Sequence, residues 1–155
     1  MSWEIFRSEY KIAQANLTEN DKTKMAEVIA SSYDKCIKTG LTIGAAPPAP
    51  LVSGNVAGLQ SMLTTSIIGY GAVPLSVALD NGLKLYWLGG VTAAGATVIV
   101  PGITSAYIDV QGQFNESIDD FIEQLITAFK THLGQVSGAI PGAPPIPFAG
   151  YQVAG

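Results

Sequence analysis

Charge is scarce in this chain. Its 155 residues include 8 Lys or Arg and 12 Asp or Glu, so 13% are charged where a globular domain usually carries ~25%. The net charge is −4. Clustered Lys and Arg for a phosphate backbone are missing, which argues against a nucleic-acid partner. The hydrophobic share of 48% excludes the highly charged, core-less kind of disordered chain. One cysteine, Cys36, excludes a disulfide framework. One histidine, His132, is all that a Ser-His-Asp or Cys-His arrangement would have to draw on. The G-x-S-x-G elbow and the G-x-x-x-x-G-K-[ST] loop are both missing. Gly69-x-Gly71 lacks the third glycine of a dinucleotide fingerprint, with Pro74 where it would fall. An apolar leader is not evident either, since Trp3, Glu4, Arg7, Glu9 and Lys11 interrupt any such run.

The charges present are unevenly placed. Residues 1–38 hold 12 of them, six of each sign, and Glu116–Lys130 holds five more. Thr39–Leu79, Leu85–Ile108 and Gly134–Gly155 hold none. A freely soluble monomer spreads charge over its exterior, so these runs are expected to be buried or to meet another surface. Leu85–Ile108 is long enough to span a bilayer. It contains Gly89, Gly90, Gly95, Pro101 and Gly102, and a Lys/Arg cluster to orient it is missing; that pattern suits strands and turns instead.

Hydrophobic spacing predicts helices. Ser2 caps a first one with Trp3, Phe6, Tyr10 and Ala13 on one stripe, closed at Asn16-Leu17. Thr18 and Asp21 open a second, with Met25, Val28/Ile29, Ser32/Tyr33 and Cys36/Ile37 inward. Lys35 and Lys38 suit its negative end, and Gly40 follows as a C′ residue. Asn55 caps an uncharged third with Leu59, Met62/Leu63 and Ile67 inward. Pro74 opens a short helical turn to Leu79, ended by Asp80-Asn81-Gly82. Asn115 caps a further helix with Ile118, Phe121/Ile122, Leu125/Ile126, Phe129 and Leu133 inward and Gly134 at its end. Leu83–Leu88, Thr97–Val100 and Ala106–Val110 read as strands. The expected fold is one α-rich α+β domain over residues 1–155: about four helices, a small sheet, and extended Pro/Gly-rich arms at 44–54 and 134–155.

The two arms echo each other. Lys38-Thr39-Gly40-Leu41 leads to Pro47-Pro48-Ala49-Pro50-Leu51, and Lys130-Thr131-His132-Leu133 leads to Pro144-Pro145-Ile146-Pro147-Phe148. Such stiff segments lose little entropy when they dock. P-x-x-P also occurs at Pro141/Pro144, but none of these motifs has the basic flank of a typical groove ligand.

Catalytic readings are thin. Glu116, Asp119, Asp120 and Glu123 share a helix face without a histidine in the turn to complete a metal set, so they read as a solvated face near a positive helix end. Cys36 reads as a buried thiol. Tyr86 and Trp87 read as core or as interface anchors.

The S-W-E-I-F opening, the stretch Ala26–Lys38 ending Y-D-K-C-I-K, the L-Y-W-L-G-G element at Leu85–Gly90 and the uncharged strap at Ala143–Phe148 resemble small structural proteins of tailed-phage virions and related contractile injection systems. The resemblance implies a non-enzymatic, repeated subunit of a capsid, neck, tail or baseplate, located in the virion. It implies no cofactor or small-molecule substrate, and partners that are copies of the chain and other particle proteins. Permanent interfaces are more hydrophobic than ordinary surface, which agrees with the missing charge. The expected subunit contacts are Pro47, Pro48, Pro50 and Leu51 on the first arm, Tyr86 and Trp87 in the strand-turn region, and Pro141, Pro144, Pro145, Pro147, Phe148 and Tyr151 on the second. Two other classes stay open at this point: a membrane-associated protein whose uncharged runs meet lipid, and a small monomeric binding module built on Tyr86 and Trp87.

Overall fold

Trp3, Phe6 and Tyr10 are buried along one side of α1 (Ser2–Asn16), as their spacing requires. In α2 (Lys22–Ile37) the buried side is Ala26, Ile29, Ala30, Ser32, Tyr33, Cys36 and Ile37, with Met25 and Val28 half-buried. The structure, a computed structural model, describes residues 2–16, 22–44, 48–68, 75–88, 90–93, 97–99, 117–140 and 145–154. The expected cap at Thr18–Asp21 lies outside them. At the far end of α2 the Gly40 N–H donates to the Ile37 carbonyl at 2.9 Å.

Asn55 caps α3 (Val56–Ile68), its Oδ1 accepting from the Gly58 N–H at 2.9 Å. Leu59 and Leu63 point into the core. The next element corrects the sequence expectation. Asp80-Asn81-Gly82 does not end a short turn, and Leu83–Leu88 is not a strand. One helix, α4 (Leu75–Trp87), runs through both. Leu75, Leu79, Leu83, Tyr86 and Trp87 recur at helical spacing and are all buried. Asp80 and Lys84 form an ion pair one turn apart at 3.2 Å. Gly82 costs the helix ~1 kcal/mol in propensity, but it lies against α3, where a Cβ would stand 2.8 Å from Leu59 Cδ1. Close packing of the two helices offsets that cost. Short apolar runs do not separate strand from buried helix, and here tertiary contact decides.

The last helix, α5 (Ile118–Leu133), is capped by Ser117, whose Oγ accepts from the Asp120 N–H at 3.2 Å. Asn115, the expected cap, lies outside the described residues. Ile122, Leu125, Ile126, Phe129 and Leu133 are buried and Phe121 is half-buried. Ile118 is 48% exposed and leaves the expected apolar face, because the first turn projects past the core. Five helices are thus present among the described residues, one more than the spacing suggested. They pack in the order α5, α1, α2, α3, α4.

Seven short strands are described: β1 (Leu41–Thr42), β2 (Leu51–Ser53), β3 (Gly90–Thr92), β4 (Thr97–Ile99), β5 (Ser137–Ile140), β6 (Ile146–Ala149) and β7 (Tyr151–Gln152). The fold is a helix-rich α+β arrangement. The strand expected at Thr97–Val100 is realised as β4, and Ala106–Val110 lies outside the described residues. The arms are not free extensions: the first supplies β2, and the second supplies β5, β6 and β7. An antiparallel sheet has the order β2-β3-β4-β5-β6, and β1 pairs antiparallel with β7. Further hydrogen bonds join the two. Ile43 donates to the Gly150 carbonyl at 3.0 Å and accepts from the Ala149 N–H at 3.0 Å, while Thr42 donates to the Ala49 carbonyl just ahead of β2 at 3.1 Å. The ladder therefore runs round from β2 to β6, on to β1, and back to the start of β2. Gly150 takes φ +95° between β6 and β7, a backbone conformation that suits glycine.

Gly40 marks a tight joint between helix and strand layers. A Cβ there would stand 2.5 Å from the Tyr151 ring and 2.6 Å from the Gln152 carbonyl oxygen. Gly40→Ala is expected to destabilise the fold by about 1–3 kcal/mol in urea unfolding. Gly134→Ala is the matched control: its backbone is already αR and a Cβ would make ordinary contacts, so stability should hold or rise by about 0.4–1 kcal/mol.

Candidate functional site

Tyr86 and Trp87 do not reach a neighbour. Both are fully buried, because α4 turns them inward on consecutive positions at the helix end. The Tyr86 hydroxyl donates to Asp34 Oδ1 at 2.8 Å, and Asp34 Oδ2 accepts from Lys38 Nζ at 2.6 Å. The Trp87 indole N–H donates to the Tyr33 hydroxyl at 2.9 Å. Burial, then the neighbouring Tyr33 and Asp34, hold the Tyr86 hydroxyl far above its ordinary value, so it remains a donor. The patch expected to serve an interface, or a monomeric binding module, is a core network.

The arm residues divide in the same way. Leu51, Phe148 and Tyr151 are buried and are likewise corrected from contact residues to core. The Tyr151 ring packs edge-on to Trp87 with centroids 5.1 Å apart. Its hydroxyl accepts from the Leu51 N–H at 2.8 Å and donates to the Ile37 carbonyl at 2.8 Å. Burial pushes its pKa up to about 12. Pro48, Pro145 and Pro147 are exposed and Pro50 is half-buried. Pro47, Pro141 and Pro144 lie outside the described residues.

The outward surface comes from strand alternation. Leu41 and Ile43 flank buried Thr42 and are 45% and 43% exposed. Pro147 and Ala149 flank buried Phe148 and are exposed. Ala139 is exposed opposite Pro147, and Gln152 is exposed opposite Leu41. Four strands, β1, β5, β6 and β7, thus present outward side chains without a charge among the described residues. The exposure of Leu41, Ile43 and Gln152 was not anticipated, although the apolar-polar-apolar order Leu41-Thr42-Ile43 was a visible signal. Val52 and Leu88 are also exposed apolar side chains of the charge-free regions. A groove of about 410 Å³ borders this face where Ile43, Gln152 and Val153 meet Lys130 and Gly134.

Charge is confined to the helices. Among the described residues every Asp, Glu, Lys and Arg lies on α1, α2, α4 or α5, or at Lys38 just past α2, and the strands carry none. Many of these groups serve helix packing. Arg7 pairs with Glu123 at 2.5 Å and Lys11 with Asp119 at 2.7 Å, joining α1 to α5. Lys35 pairs with Glu9 at 2.6 Å, joining α2 to α1. The hydrogen bond from Arg7 holds the Glu123 carboxyl below the usual carboxylate range. Asp120 accepts from the Ser117 hydroxyl at 2.7 Å. Glu116 lies outside the described residues. Among the described residues, groups of three or more His, Cys, Asp or Glu able to hold a metal are not found.

Cys36 and His132 are both fully buried. Burial pushes the Cys36 thiol up to about 11. Burial, with Lys84 adding to it, lowers His132 to about 3. The folded state therefore holds His132 neutral, while the unfolded chain takes up a proton below ~6.5. This group's contribution to stability is lost as pH falls from about 6.5 toward 3, with a slope approaching ~1.4 kcal/mol per pH unit. Urea unfolding of wild type between pH 6.5 and 5 should show this slope, and His132→Gln should flatten it. Tyr151→Phe removes the hydroxyl from two buried backbone partners and is expected to cost about 1–3 kcal/mol at neutral pH.

No protein-family model matches the chain, and neither does a curated protein or a solved structure.

Proposed function

We propose that this chain is a non-enzymatic structural subunit of a large assembly of the virion or phage-tail kind. One observation carries the proposal: among the described residues the charges lie on α1, α2, α4 and α5 or at Lys38, and the strands carry none. A subunit that loses part of its surface to neighbours can dispense with charge there, as permanent interfaces do. Of the contact residues the sequence suggested, Pro48, Pro145 and Pro147 are exposed and Pro50 is half-buried. The buried members Leu51, Tyr86, Trp87, Phe148 and Tyr151 build the subunit, and the exposed side chains of β1, β5 and β6 are left to meet its surroundings.

Lipid is the rival occupant of a charge-free surface. Among the described residues, no helix is long and apolar enough to cross a membrane. Among the described residues, the exposed large apolar side chains are Ile12, Leu41, Ile43, Val52, Val77, Leu88 and Ile118, all aliphatic. Interfacial membrane binding favours exposed Trp or Phe together with Lys and Arg on the flanks. The strand layer offers neither among the described residues.

Sedimentation velocity of the full chain without detergent tests the proposal. Species much larger than a monomer are expected at micromolar concentration, and electron microscopy should show a regular particle. A monomer at every concentration overturns the assembly reading. Flotation of the chain with neutral liposomes would instead establish the lipid alternative.

A further inference from the structure

We infer that Asn81-Gly82 is a deamidation site gated by the fold: closed while α4 stands, reactive when α4 opens, and damaging to α4 once it has reacted. This chemistry is independent of the assembly reading.

Asn-Gly occurs once in the sequence, at Asn81-Gly82. In an open chain the Gly82 backbone nitrogen can reach the Asn81 side-chain carbonyl carbon, because glycine has no Cβ to obstruct the approach. The nitrogen gives up its proton and bonds to that carbon, and the Asn81 amide group leaves as ammonia. A five-membered succinimide remains, and water opens it at one of two C–N bonds. Cleavage at the former side-chain carbonyl gives aspartate. Cleavage at the Asn81 backbone carbonyl gives isoaspartate, in which the main chain runs through the former side chain. In sum, water enters and ammonia leaves, with no change of oxidation state.

The fold holds these atoms apart. Asn81 is exposed at the middle of α4. Helical side chains lean toward the helix N-terminus, whereas the Gly82 nitrogen lies on the C-terminal side of Asn81. That N–H also belongs to the helix ladder, which runs to the carbonyl four residues back, here Ala78. Asp80 and Lys84 bridge the same turn at 3.2 Å, and Gly82 is buried against Leu59 of α3. Reaction therefore waits for α4 to open. A side chain at position 82 would slow it, but a Cβ there would stand 2.8 Å from Leu59 Cδ1 and 3.3 Å from Met62 Cβ. Isoaspartate adds one methylene to the main chain in the middle of the helix. That interrupts the ladder and moves Tyr86 and Trp87 away from Asp34 and Tyr33, the partners of their buried hydrogen bonds.

Timed incubation of the full chain at mildly alkaline pH tests this, folded in buffer and unfolded in guanidinium chloride. Peptide mass spectrometry should find Asn81 converted roughly tenfold or more faster in the denaturant, because only the open fraction of a folded chain reacts. Equal rates in the two states overturn the gating. The aged chain is then diluted into buffer and digested briefly, so that only refolded molecules survive. Isoaspartate at position 81 should be depleted from the survivors roughly fivefold or more relative to aspartate, since an interrupted helix removes a large share of a marginal stability. Equal isoaspartate in surviving and digested molecules overturns the damage to α4. Asn81→Gln would have to close a six-membered ring, so it should age in denaturant and still refold. Asn81→Asp should refold as wild type does, because it brings the new charge without the added methylene. Loss of refolding in aged Asn81→Gln, or in fresh Asn81→Asp, also overturns the inference.

Discussion

The structure depends on an unbroken run of aromatic contacts from the first helix to the last strand. Trp3 stacks on Phe129 at 5.9 Å, and Phe6 meets the same ring edge-on at 5.4 Å. Phe129 touches Tyr33 at 4.7 Å, Tyr33 touches Tyr86 at 5.0 Å, Tyr86 touches Trp87 at 5.8 Å, and Trp87 touches Tyr151 at 5.1 Å. Such pairs favour edge-to-face and offset geometry and add to the stabilisation from area alone. The run crosses α1, α5, α2, α4 and β7, so one set of rings fixes how the helix layer sits on the strand layer. From Tyr33 onward its polar atoms are engaged: Trp87 with Tyr33, Tyr86 with Asp34, Tyr151 with the backbone of Ile37 and Leu51, whereas the Trp3 indole nitrogen is buried without a hydrogen bond among the described residues.

That arrangement explains why aromatic residues are poor markers of the outer surface here. Tyr86 and Trp87 invite an interface reading in sequence, because consecutive large aromatics beside Gly89-Gly90 resemble an anchor at a strand end. A helix instead places them side by side at its last turn, where both can face the core. Leu51, Phe148 and Tyr151 follow the same logic on the strands. Alternation sends them inward, and the smaller residues between them go out.

Local pattern made much of the helix layer readable. The stripes of α1, α2, α3 and α5 were visible because their apolar spacing and terminal signals agree, as with Trp3, Phe6 and Tyr10, or Asn55 ahead of α3. The two misreadings have physical causes. Asp80-Asn81-Gly82 has the composition of a turn, and only contact with Leu59 makes Gly82 an asset inside α4. The straps read as extended Pro/Gly-rich arms packed on the protein or a neighbour, while the pairing that turns them into strands is between residues distant in sequence, such as Leu41 with Gln152. Of the candidate contact surface, the missing charge was legible from composition, but its assignment to the strands needed the fold.

The closed strand ladder has a consequence for how this chain can associate. Short, uncharged, apolar strands are a hazard when their backbone groups lie open, because another chain can add to them strand by strand. Here β6 is tied back to Ile43, and the outward N–H of Leu51 on β2 is taken by the Tyr151 hydroxyl. Among the described residues, these backbone groups are spent within the subunit. A surface governed by side chains can be selective and finite, whereas open strand edges favour unlimited fibre growth.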